Sequence, residues 1–289
     1  MTFVLALLQS AGATAGTPDK RLYMLLGLFT LMMLVALGLK LFTNMWEVVT
    51  APSASLRHIG RMDNFFFSIA LVFLAGLIAT FVLLANQPQM ENGFHSFAAQ
   101  WCSQVAQGNM NPTYREDAAN LGTGTLDALV KAYLFNNLVF YPVVAVLFWL
   151  IGGFIVFLIA RMFGGHTTAG DLLGTLAYPM FFFTIGKACA LAGVVPGMDS
   201  LATGGTPPMG VLAIVGAVLI LYSVVLWLIG IVQAAELTTA QMIGVIVLLV
   251  IVLGGGGTAW YQYGAKKTID SFKLKITSHD PSKPGYKIQ

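Results

Sequence analysis

The hydrophobic positions of this chain neither alternate nor mark one stripe of a helix; they continue unbroken through long runs separated by short polar stretches. A run of about 20 apolar residues is the length that crosses a hydrocarbon core roughly 30 Å thick, whereas a helix resting on a soluble core shows apolar residues at a 3.6 period. Six such runs are predicted as spanning helices: Leu22 to Phe42, Phe65 to Ala85, Leu138 to Met162, Leu172 to Val194, Met209 to Gln233 and Ala240 to Leu253. The last is short, and the glycine run Gly254 to Gly257 is expected to end it.

The segments between the runs have characters of their own. In Asn44 to Asp63 the apolar residues Met45, Val49, Pro52, Leu56 and Ile59 recur at three and four, which predicts an amphipathic segment lying in the interface and bent at Pro52. Asn86 to Asn136 is a long polar stretch, with a turn at Asn109-Met110-Asn111-Pro112 and a lead-in helix expected from Asp127 to Leu138. The near-terminal apolar run Phe3 to Leu8 has no basic residue before it, unlike a secretory signal. The organisation expected is an N-terminal lead-in with one helix over 1–43 and a membrane domain over 44–256. Within that domain lie the interfacial segment 44–63 and the polar loop 86–136, and a basic tail follows over 257–289.

Composition agrees with the pattern: 57% of the 289 residues are hydrophobic and only 9% are charged. A soluble domain carries about 25% charged residues to solvate its surface, so the fold class read here is an all-α integral membrane protein. With four His and two Cys, none of them in HxxxH, CxxC or CxxCH spacing, no metal, haem or other cofactor is expected, and neither a phosphate-binding loop nor a GxSxG elbow is found. The net charge is +3, and six of the fifteen basic residues fall in the last 25 positions, among them Lys266 and Lys267. Such a tail can bind anionic headgroups at about 1 kcal/mol per basic residue near the surface. No nucleic-acid partner is expected.

Lys187 is the ionisable residue placed firmly inside a predicted span. Intramembrane charges are functional candidates by default, but its distance from the helix end, roughly 10 Å at helical rise, lets the ammonium snorkel to the headgroups. Two readings stay open: a structural cation, or one side of a lined cavity or buried pair with Asp199. Gly152-Gly153 inside a span is expected to allow close helix approach, and Gly164-Gly165 to stop a helix in a left-handed turn. Asp171 is placed at the start of the following helix, where its carboxylate meets the positive end of the dipole. Cys189 is expected to pack as a small apolar side chain.

The run Leu158-Ile159-Ala160-Arg161-Met162-Phe163-Gly164-Gly165, followed by Asp171-Leu172-Leu173 and Ala177-Tyr178-Pro179, resembles the signature of the Yip/Yif family of small polytopic membrane proteins. Trp46 through Pro52 and Glu236-Leu237-Thr238-Thr239-Ala240 resemble its lead-in and the start of its last span, so the likeness covers about Met45 to Leu253. The resemblance implies a five-helix bundle, to which Leu22 to Phe42 adds one more helix. In eukaryotes the family is associated with Golgi and endoplasmic-reticulum trafficking and Rab GTPases, while bacterial members have no well-defined activity. The long polar N-terminal region of the trafficking members is not found ahead of the domain, so a Rab-type partner is not expected. A prokaryotic relative in a bacterial inner membrane is.

The function expected is a non-enzymatic scaffold or accessory subunit of a membrane complex, with membrane lipids and other membrane subunits as partners. Its candidate contacts are Trp46, Arg57, Arg61, Arg161, Lys266 and Lys267. The alternative is a small-solute transporter or permease component with Pro142, Pro179 and Lys187 along a path. Family topology puts the arginine loops in the cytoplasm; the count of basic residues near span ends puts the tail there instead.

Overall fold

The computed structural model describes residues 20–60, 65–106, 140–197, 200 and 210–260, and every regular element among them is helical. In chain order these are α1 (Lys20–Thr50), α2 (Pro52–Gly60), α3 (Phe65–Ala85), α4 (Gln87–Ala106), α5 (Tyr141–Met162), α6 (Ala169–Val194), α7 (Val211–Ala235) and α8 (Thr239–Trp260). Four described helices are long and apolar enough to cross a membrane: α3, α5, α6 with its following turn to Gly197, and α7. The other two spans expected, Leu22 to Phe42 and the one from Ala240, fall within α1 and α8; the described apolar stretch of α8 is Thr239–Ile251.

Lipid tails are as apolar as leucine, so helices in a membrane are held by close packing and interhelical hydrogen bonds rather than by the hydrophobic effect. α6 and α7 show the close packing. They run antiparallel with Thr175 opposite Gly230, Gly186 opposite Leu219 and Gly193 opposite Ala213. The other large contacts of the bundle are α3 with α6 and α3 with α5. α3 is the inner helix, 61% of its most apolar stretch being buried against 22% for α7. The outer faces of α5 and α7 expose Leu147, Phe148, Ile151, Val218 and Leu221, the side chains that meet lipid.

Local chemistry sets several boundaries. Pro142 occupies the first turn of α5, where its missing N–H costs nothing. The helix ends at Met162 and the chain turns away at Gly164, whose φ of 86° glycine adopts without steric cost. Thr168 then caps α6: its hydroxyl accepts from the N–H of Asp171 at 3.2 Å and donates to the Asp171 carboxylate at 2.7 Å. Thr238 and Gln241 form a reciprocal box at the start of α8, with Thr238 N–H donating to Gln241 Oε1 and Gln241 N–H to Thr238 Oγ1.

The structure differs from the sequence reading at four places. The first predicted span and the start of the amphipathic segment are one helix, α1, broken at Gly38 (φ 54°, ψ −153°) rather than near residue 43. Within that segment Leu56 is fully buried as expected, but ahead of it the core-facing residue is Val48, fully buried, and not Val49, which is 52% exposed. The polar loop after residue 86 opens with the helix α4, whose Met90 and Gly93 pack under Val195 and Pro196. Finally, α8 does not stop at the glycine run but continues to Trp260. In hydrocarbon no water is available to replace a helical hydrogen bond, so glycine keeps the helix there. The expected turn at Asn109 to Pro112, the lead-in helix from Asp127 and the tail lie outside the described residues.

Candidate functional site

Several polar side chains inside the bundle gather where the C-terminal half of α1 and all of α2 lie across α6 and α7, while others, such as Thr80 of α3 and Thr184 of α6, bond back to their own helix. We refer to Leu39 through Gly60 as the strap. Asn44 on its first limb donates from Nδ2 to the hydroxyl of Tyr178 at 2.8 Å. Tyr178 is fully buried on α6, one residue before Pro179. One turn further along the strap, the hydroxyl of Tyr222 on α7 donates to the carbonyl oxygen of Val48 at 3.1 Å. The Tyr222 ring stands edge-on to Phe182 of α6, with centroids 5.2 Å apart.

The second limb is anchored by packing. Leu56 is fully buried, and its side chain lies 3.8 Å from where a β-carbon on Gly230 would stand. Its carbonyl also receives the Thr175 hydroxyl at 3.4 Å, an oxygen that bonds Asp171 O more closely at 2.9 Å. Elsewhere the indole N–H of Trp149 on α5 reaches the carbonyl of Leu173 on α6 at 3.1 Å, and Phe65 stacks on the same indole at 5.9 Å. Apart from the Thr175–Asp171 bond, which stays within α6, each of these hydrogen bonds joins two helices. An uncompensated polar group in hydrocarbon costs several kcal/mol, so the set ties strap, α5, α6 and α7 into one body.

A second polar region lies where α5, α6, α7 and α8 meet at their loop ends. Arg161 is exposed and its guanidinium donates to Gly165 O at 3.4 Å. The N–H of His166 donates to Ala235 O at 3.1 Å, joining the α5–α6 loop to the end of α7. α7 ends at Glu236 in the left-handed region, φ 53°. Gly244 on α8 faces the ring of Phe163, so no larger side chain fits there without moving that ring.

Of the candidates named from sequence, the side chains described are those of Trp46 on α1, Arg161 on α5 and Lys187 on α6. Trp46 is 71% exposed on the strap. Arg57 lies in α2 with a side chain outside the described residues, as are Arg61, Asp199, Lys266 and Lys267 in full. Lys187 is exposed on the outer surface of α6, and Cys189 is buried and free. The proline path gains no support: Pro142 is buried against Gly76 of α3, and Pro179 is buried inside a continuous α6. Sequence reasoning missed Asn44 and Tyr222 entirely and took Tyr178 only as part of a motif. Their partners are 134 and 174 positions away, and no spacing rule reaches that far. A polar residue within an otherwise apolar run was the signal available.

A family model described as the Yip1 domain matches residues 46–261 of this chain. Neither the curated proteins nor the solved structures contain a match to it.

Proposed function

The chain belongs to the Yip1 family and is an integral membrane protein, and on that premise we propose that it works as a non-enzymatic scaffold or accessory subunit of a membrane complex. The observation that carries this reading is how the internal polar groups are used. Asn44, Trp149, Tyr178 and Tyr222 each form a bond between helices, so the chemistry within the bundle holds it in one shape. What the bundle offers outward is apolar helix surface on α5 and α7 and the exposed Trp46 and Arg161. Those are surfaces for lipids and for other membrane subunits. The basic residues Lys266 and Lys267 are proposed to add contacts to anionic headgroups or to a partner, and a bacterial inner membrane is the proposed location.

Purification of the full chain in a mild detergent, followed by native mass spectrometry, tests the reading. One stoichiometric protein partner is expected. A chain that purifies alone and moves a small solute when reconstituted in liposomes contradicts it.

A further inference from the structure

We propose that the strap is a re-entrant helical hairpin whose tip reaches the middle of the bundle, and that water follows it there, forming a hydrated notch lined by Glu47, Thr50 and Ser53. The depth follows from residue registers. Tyr222 lies at the centre of the 25-residue α7, about 19 Å along the helix from Ala235 at 1.5 Å per residue. Tyrosine side chains on helices lean toward the helix N-terminus, which in α7 points away from Ala235. The Val48 carbonyl bonded to the Tyr222 hydroxyl therefore lies near mid-depth. Leu56 packs beside Gly230, only about 7 Å from the same end. Asn44 bonds Tyr178, whose side chain leans toward the α6 N-terminus and so toward that end again. From Asn44 the chain descends to Val48, turns at Ala51 and Pro52, and rises to Leu56.

The outer side of the hairpin is not uniform. Viewed down the first limb, Thr43, Glu47 and Thr50 share a stripe at i, i+4 and i+7, and Trp46 and Val49 continue the exposed face along one side of it. All five are exposed, as are Ala51, Ser53 and Ala54 around the turn. The turn itself leaves Ala51 satisfied, its N–H donating to Glu47 O at 2.8 Å and its carbonyl accepting from the N–H of Ser55 at 3.1 Å. The group that calls for water is the Glu47 carboxylate, exposed one residue before Val48, because a carboxylate facing hydrocarbon at this depth would be strongly penalised. Trp46 and Val49 then face the lipid.

The test uses the full chain in native membranes with Cys102→Ser and Cys189→Ala as background. Cysteine is placed singly at Thr50, Ser53 and Leu221 and challenged with a charged, membrane-impermeant thiosulfonate. Leu221 is 68% exposed on α7, one residue from Tyr222, so it reports lipid at the same depth. The strap positions should react at least roughly ten times faster than Leu221→Cys, because the reactive thiolate forms in water and not in hydrocarbon. Reaction from one side of the membrane only is also expected. Rates for Thr50→Cys and Ser53→Cys equal to that of Leu221→Cys overturn the proposal. So does reaction that begins only after detergent solubilisation, since the face would then be covered by lipid or protein. Elution of each variant as a single monodisperse peak keeps misfolding from imitating either result.

Discussion

At Gly216 a β-carbon would stand 2.6 Å from the carbonyl oxygen of Gly186 and 2.7 Å from Cα of Ala190, so α7 meets α6 backbone to backbone. Gly216→Ala sets two effects against each other. Alanine gains about 1 kcal/mol in helix propensity, while overpacking costs about 1–3 kcal/mol. The clashing atoms are backbone and cannot rotate aside, so the upper part of that range applies. A net loss of about 1–2 kcal/mol is expected in reversible unfolding from mixed micelles. Gly152→Ala, with nothing within 4 Å of its β-carbon position, should be neutral or slightly stabilising in the same assay. Sequence treated Gly152 and Gly153 alike, yet only Gly153 meets a neighbour, the side chain of Leu173. Adjacent residues differ by 100° around a helix, and in a run that is apolar on every side nothing in the sequence fixes which of them points inward. The polar contacts were hidden for a related reason: Asn44 and Tyr222 are unremarkable until the fold brings Tyr178 and Val48 to them.

The spanning elements were legible because length and apolarity alone determine them. α3 has the predicted ends, Phe65 and Ala85, and α5, α6 and α7 begin or end within a few residues of prediction. Capping chemistry fixed the turn at Gly164 and the start of α6 near Asp171. What failed was the treatment of glycine. Four glycines in α8 do not stop the helix, while the single Gly38 breaks α1. The difference is that Gly38 adopts a conformation that other residues reach only with strain of about 1–3 kcal/mol. Gly38→Ala should therefore lower stability by about that amount, read by circular-dichroism melting in detergent. Alternatively the helix straightens there, and a straight α1 would pull Asn44 away from Tyr178.

The molecule as a whole is a membrane bundle with a strap laid across it, and hydrogen bonds from α6 and α7 hold the strap in place. The family and the membrane class were legible from the chain. The strap's docking was not, because an amphipathic segment lying flat in the interface and one latched to a bundle have the same periodicity. If the polar groups of the bundle serve to hold this shape, the two sides of the Asn44–Tyr178 bond must be energetically coupled. A double-mutant cycle of Asn44→Leu and Tyr178→Phe, with unfolding followed in lipid bicelles, measures that coupling. A value of about 0.6 kcal/mol is predicted, the average for interhelical hydrogen bonds in membranes, with about 1.7 kcal/mol as the upper bound. Strictly additive effects of the two substitutions would mean that the strap does not rest on the bundle, and would contradict the account.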